Sequence, residues 1–261
     1  MGLPVAIVVI ASPKGGVGKT TSTIALGGLL AERQSCLAID LDPQGNLTMG
    51  LGVELEEAQI GSYDVMTAQI EASETIVKTK FGLDLIPTDS TLAEAEKEQS
   101  SDRDRFLVLK RQLQPLKHKY RHILIDCPPN LGFLTLNALA AANTVLVPVQ
   151  CQFFALKGFD RILEEISIVR RRYNPKLQVL GVLPTMAENT LMTRKILTAL
   201  QQNYPQIRVF HPVPKSIQFA EASFVGKPIH RHTQNFKLVK PYDRVIRAIL
   251  PQKTDNLDIK E

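Results

Sequence analysis

Apolar residues in this chain gather in short unbroken runs instead of alternating with polar ones. VAIVVIA (5–11), CLAIDLD (36–42), LDLIP (83–87), HILIDCP (122–128), TVLVPV (144–149) and LQVLGVLPT (177–185) each read as a strand. Such runs are expected of strands buried on both faces, as in a parallel sheet covered by helices. Between them lie stretches with helical spacing, TSTIALGGLLAER (21–33) and GFDRILEEISIVRRRY (158–173). Alternating strands and helices predict a doubly wound α/β fold with a mostly parallel sheet, whose ligands sit at the carboxyl ends of the strands.

The polar stretch STLAEAEKEQSSDRDR (90–105) predicts an exposed helix and loop, and KTDNLDIKE (253–261) a frayed tail. PYDRVIRAIL (241–250) carries apolar and basic residues and is stopped by Pro251, so it is expected to pack as the last helix of the fold. The chain has 261 residues, 44% of them hydrophobic, which is enough for a single domain over 1–252 with a substantial core.

Charge and cysteine content narrow the picture only a little. The net charge of +5 is a mild basic excess, compatible with an ordinary basic surface or with a polyanionic partner. Cys36, Cys127 and Cys151 are an odd and widely spaced set, which argues against a disulfide framework or zinc site and fits a reducing cytoplasm. The opening MGLPVAIVVIAS lacks a basic n-region and reads as a buried strand instead of a signal peptide. No run approaches the roughly 18 apolar residues of a membrane span.

The densest chemistry lies in SPKGGVGKTTS (12–22), between a predicted strand and a predicted helix. Gly15, Gly16, Val17, Gly18, Lys19 and Thr20 match a phosphate-binding loop, in which glycines let backbone N–H groups surround phosphate oxygens at a helix N-terminus. Lys19 stands where it would reach the β- and γ-phosphates, Thr20 where it would ligate Mg²⁺, and Thr21 where it would support the α-phosphate. Lys14 is a second lysine at the mouth of the loop, and on its own it reads as a solvated charge. The second strand ends in DLDPQGN, where the spacing of Asp40 and Asp42 puts both carboxylates on one face. Asp126 emerges from ILIDCPP at another strand end, the place where phosphate-loop nucleotidases hold Mg²⁺.

With KGGVGKTT, DLDPQGN, ILIDCPPNLG, VPVQCQFFALKGF, GVLPTM and VPKSIQFAEASFVGKPI together, the chain resembles the ParA/MinD ATPases with the deviant Walker A loop. The match runs through most of the chain and is nearest to the short ParA branch, which serves plasmid or chromosome partition and lacks the N-terminal helix-turn-helix of larger relatives. That resemblance implies a cytoplasmic, nucleoid-associated ATP hydrolase with ATP and Mg²⁺ as cofactors. It also implies a homodimer that sandwiches two nucleotides, with slow turnover stimulated by a ParB-like or other cargo adaptor.

By the same resemblance Lys14 crosses into the neighbouring subunit and contacts its ATP phosphates, so the catalytic set is Lys14, Lys19 and Asp42. Asp42 orients the attacking water, while Asp40 and Asp126 hold the magnesium hydration shell. The ATP-bound dimer is expected to bind DNA without sequence preference. Arg194 and Lys215 match basic DNA-contacting positions of the family, and Lys195, Arg231, Lys237, Lys240, Arg244 and Arg247 are further candidates. The alternative is a MinD-like membrane ATPase, which would need an amphipathic C-terminal helix; no membrane association is expected here. Cys127 and Cys151 do not match the cluster-binding contexts of the nitrogenase iron-protein relatives and read as packing residues. One departure is Lys157, in ALKGF, where many ParA relatives carry glutamate. Some carboxysome-positioning relatives have an unusual lysine in the downstream half of the chain but lack the loop lysine, so the resemblance leaves the cargo open.

Overall fold

The computed structural model describes residues 5–54, 60–97, 103–152 and 155–250. The strands are β1 (Ala6–Ile10), β2 (Cys36–Asp40), β3 (Val77–Lys78), β4 (Leu83–Ile86), β5 (His122–Asp126), β6 (Thr144–Gln150) and β7 (Gln178–Thr185). They form one seven-stranded sheet in the order β3-β4-β2-β5-β1-β6-β7. Every pairing is parallel except β3 with β4. All five residues of β2 and of β5 are buried, as expected of strands covered on both sides.

The α-helices in chain order are α1 (Lys19–Ala31), α2 (Asn46–Gly50), α3 (Ser62–Met66), α4 (Leu92–Lys97), α5 (Val108–Gln112), α6 (Phe133–Ala141), α7 (Ala155–Arg172), α8 (Leu191–Asn203), α9 (Gln218–Phe224), α10 (Ile229–His232) and α11 (Phe236–Ile249). Helices α3 to α8 cover one face, where Phe159, Ile162 and Leu200 pack on Val9, Ile39 and Ile125. Helices α1, α2 and α9 to α11 cover the other, where Leu26, Leu30, Tyr242 and Ile246 pack on Val8, Ile10 and Leu124. The sheet is doubly wound, and a second core lies on its far side.

Each of the six strands read from the apolar runs is present. The sequence reading lacks β3, a two-residue antiparallel edge strand too short to produce a pattern. Between 90 and 105 the outcome differs from a plain exposed segment, because α4 buries Leu92 and Ala95 against the core. Residues 98–102 and 251–261, including the expected tail, lie outside the described residues. The last described helix, α11, buries Leu238, Pro241, Tyr242, Val245 and Ile246, which is the packing expected of its sequence. Cys36, Cys127 and Cys151 are free and buried, as packing residues should be.

Candidate nucleotide-binding site

The loop over 11–18 leaves the carboxyl end of β1 near the middle of the sheet and runs straight into α1. Gly16 and Gly18 have φ of 69° and 83°, the left-handed region where a side chain costs about 1–2 kcal/mol. Thr185, at the end of β7, donates its hydroxyl to the Val17 carbonyl at 2.9 Å and ties the loop to the sheet. Helix α1 begins after Gly18 with no side-chain cap, so its first N–H groups are left for a ligand.

The two lysines have opposite surroundings. Lys19 is only 6% exposed, and its ammonium reaches the Lys14 carbonyl at 3.3 Å. Burial lowers its pKa from the ordinary lysine value, opposed by the nearby Asp126, Cys127 and Asp42. An ammonium has three donors, so a buried one with a single long carbonyl contact among the described residues suits a multiply charged oxyanion. Lys14 is exposed, and its ammonium rests on its own chain, 3.0 Å from Gln152 Oε1 and 3.3 Å from Gln150 Oε1.

Two of the carboxylates lie side by side, because β2 and β5 pair with Asp40 opposite Asp126. Asp126 Oδ2 accepts the Thr20 hydroxyl at 2.6 Å and Oδ1 accepts the Thr23 hydroxyl at 3.3 Å. Asp40 Oδ2 accepts both the Thr48 N–H at 2.9 Å and its hydroxyl at 2.8 Å, while Oδ1 accepts the Asp42 N–H at 3.1 Å. Burial pushes Asp40 up to about 7, against its three hydrogen bonds. Burial and the charge of Asp40 together push Asp126 up to about 8, against Thr20 and Lys19. A cation between these oxygens would reverse both effects, since it favours the charged carboxylates. Asp42 lies just past β2, and its Oδ1 accepts the Gln44 N–H at 3.1 Å.

Beside the loop is a pocket of about 200 Å³ walled by Thr21, Thr185, Met186, Pro214, Phe219 and Tyr242, large enough to begin housing an aromatic base. Lys215 is also on its wall and pairs with Glu188 at 3.2 Å. Arg194 is elsewhere, on the exposed side of α8, donating to Asn189 Oδ1 at 3.0 Å. The two residues singled out together by the family resemblance therefore have different neighbourhoods. On the other side of the loop an open groove of about 260 Å³ is lined by Pro13, Lys14, Lys157, Gly158 and Arg161. Lys157 falls in the first turn of α7, where the helix dipole disfavours a cation.

Comparison with known proteins agrees with this geometry. A family model described as an AAA domain matches residues 5–179. The chromosome partitioning protein ParA of Caulobacter vibrioides is 34% identical over 97% of this chain and 96% of its own length. The chain belongs to the ParA family. The sporulation initiation inhibitor protein Soj of Bacillus subtilis is 39% identical, covering 85% of this chain and 89% of Soj. The solved Cyanothece McdA(D38A)–ATP complex superposes with a TM-score of 0.89 at 27% identity, over 95% of this chain and 97% of that one. A cobyrinic acid a,c-diamide synthase from Mycobacterium smegmatis, solved with an ATP analogue and magnesium, gives a TM-score of 0.79 at 33% identity and 92% coverage of both chains. ATP and Mg²⁺, which those structures hold, fit the residues present here. The uncapped α1, the ammonium of Lys19 and the Thr20–Asp126 pair are the features that fit them.

Several functional contributors in this ParA-family site are silent in the sequence. Thr48 and Ser62 fix Asp40, the latter by donating to the Asp40 carbonyl at 2.6 Å. Thr23 braces Asp126 from one turn further along α1. The i+3 spacing of Thr20 and Thr23 was the available signal, since such residues share a helix face. Gln150 and Gln152 touch Lys14 across more than 130 residues, which no local pattern discloses.

Proposed function

We infer that this ParA-family chain hydrolyses ATP in a face-to-face homodimer whose nucleotide state switches its grip on DNA, moving a plasmid, chromosome or protein organelle with a ParB-like adaptor. The observation that carries the reading is the pair of lysines: one buried in the loop with donors to spare, the other exposed at its mouth. Lys19 binds the β- and γ-phosphates from within the subunit. Lys14 is placed to leave its own chain and reach phosphates bound by a second copy, where its charge stabilises the transferring phosphoryl group. Bound Mg²⁺ supplies charge neutralisation on the phosphates. Thr20, Asp40 and Asp126 would hold its place, and Asp40 also keeps the loop carrying Asp42 in position. Asp42 orients the attacking water, and turnover stays slow until the dimer closes.

DNA binding is supported by charge on the outer surface. Lys237, Lys240, Arg244 and Arg247 recur at helical spacing along α11 and are all exposed, on the side opposite its buried apolar face. A row of this kind spans about 15 Å and matches a phosphate backbone. Because the apolar face of α11 is spent on the core, the membrane-binding alternative has no amphipathic face to use there. Among the described residues no helix is long and apolar enough to cross a membrane. The proposed setting is the cytoplasm, on the nucleoid.

The test is retention on unrelated DNA sequences with ATP, ADP or no nucleotide, at low and moderate salt. The reading expects retention with ATP alone and a steep loss with salt, with a log–log slope of about −0.9 per phosphate contact. Equal retention in all three nucleotide states, or none in any, would contradict it.

A further inference from the structure

Lys14 is exposed, yet its ammonium is not left to solvent. Gln152 Oε1 accepts from it at 3.0 Å and Gln150 Oε1 at 3.3 Å. The amide of Gln150 is oriented by a second contact, since its Nε2 points to the Met186 sulfur at 3.2 Å. With the N–H₂ turned to a thioether, which only accepts, the carbonyl oxygen is the end that faces the lysine. Gln150 closes β6 opposite Thr185 of β7, so its backbone is fixed by the sheet. The Gln152 N–H donates to the Gln150 carbonyl at 2.7 Å, which holds the second amide beside the first. The Lys14 carbonyl is also engaged, by the Lys19 ammonium.

We propose that Gln150 and Gln152 are positioning residues that dock Lys14 in cis, and that closure of the dimer requires the lysine to leave this dock for the partner's nucleotide. The inference rests on the trans role of Lys14 given above and adds the residues that oppose it. The physical argument is one of competition. A primary ammonium has three donors, and two are taken by neutral amide oxygens that gain no net charge neutralisation from the contact. Phosphate oxygens make charge-assisted bonds that are roughly twice as strong. The dock therefore loses to a nucleotide in a facing subunit and wins when none is present. Phosphate arriving at Lys19 draws that ammonium off the Lys14 carbonyl and loosens the same stretch from Lys14 to Lys19. Met186, on the wall of the adjoining pocket, touches Gln150, so a base in the pocket bears on the dock from the other side.

Two readouts test the dock. The first is amine-reactive labelling of Lys14 in the nucleotide-free monomer, followed by mass spectrometry. Gln152→Ala and Gln150→Leu should raise the Lys14 labelling rate, and Gln152→Glu should lower it by offering a charged acceptor. The second is the protein concentration at half-dimerisation with a non-hydrolysable ATP analogue. Each amide removed should lower that midpoint by about threefold, and both together by about tenfold, whereas Gln152→Glu should raise it. Gln152 is exposed, so its variants leave the core untouched. Labelling that moves the same way for Gln152→Ala and Gln152→Glu, or midpoints unchanged within error, overturns the dock. Lys14→Ala separates the two levels. If it dimerises and turns over like the parent, the trans role fails. If it does neither while the glutamine variants stay inert, only the dock fails.

Discussion

Thr48→Val removes one oxygen from a place where two buried groups depend on it. The Thr48 hydroxyl donates to Asp40 Oδ2 at 2.8 Å and accepts the Thr88 N–H at 3.1 Å, and Thr48 is fully buried. Valine has the same shape, so the change opens no cavity and the loss is one of hydrogen bonding. A bond to a charged group contributes about 1.5–3 kcal/mol, and a buried N–H left unpaired costs about 1–3 kcal/mol. The expected destabilisation is about 3 kcal/mol. The effect reaches function because Asp40 also holds the Asp42 N–H, at 3.1 Å. Losing one of its three donors leaves the Asp40 carboxylate less firmly oriented, so it grips the Asp42 loop less well. Turnover should fall by about tenfold, or ~1.4 kcal/mol of barrier. The assays are denaturant unfolding and phosphate release at saturating ATP, with Thr48→Ser, which keeps the hydroxyl, as control. A valine variant within about 0.5 kcal/mol of the parent and equally active would refute this account of how Asp42 is held.

Further predictions concern acid stability and the basic residues. His122, buried at the start of β5, bonds Gln34 through Nε2 at 2.7 Å and has no partner at Nδ1 among the described residues. Burial, with Arg121 nearby, lowers its pKa from 6.5 to about 4. The unfolded chain therefore takes up a proton that the folded one refuses. Stability present above pH 6.5 should drain away as pH falls toward 4, by about 3 kcal/mol. His122→Leu should remove that part of the slope between pH 6.5 and 4 in unfolding curves, and an unchanged slope would show that His122 does not carry it. Arg194→Glu should weaken DNA retention and leave ATP binding intact, as read by titration with a fluorescent analogue. Lys215→Glu, on the pocket wall, should also weaken the nucleotide; equal nucleotide affinity in both variants would place Lys215 outside the site.

The legible and illegible parts of this molecule divide by range. Strands buried on both faces announce themselves as apolar runs, so β1, β2, β4, β5, β6 and β7 were readable, and strand β3, only two residues long, was not. The loop from Gly15 to Thr20 was readable because its glycines and lysine are contiguous, and Asp40 and Asp126 because each ends such a run. What stayed hidden depends on contacts distant in sequence. Lys215 reads as one more surface charge until the pairing of Ala187 with Pro214 folds its segment back onto the end of β7 and places it at the pocket. Thr48 reads as a short-helix residue until the fold sets it between Asp40 and Thr88. In the same way, α4 reads as solvated because its charges outnumber Leu92 and Ala95, which nonetheless find the core.

The shared active site is the central claim, and mixing two inactive variants tests it most directly. In the proposed dimer Lys14→Ala would lack the lysine that crosses and Asp42→Ala the carboxylate that orients water, so each alone should release little phosphate. In a mixed dimer, the site on the Lys14→Ala subunit keeps its own Asp42 and receives Lys14 from the other copy. The account predicts that mixing the two restores a fraction of parental phosphate release, rising with the proportion of mixed dimers. If Lys14 acts within its own subunit, every site in the mixture lacks one group, and release that stays at the level of the separate variants would contradict the claim.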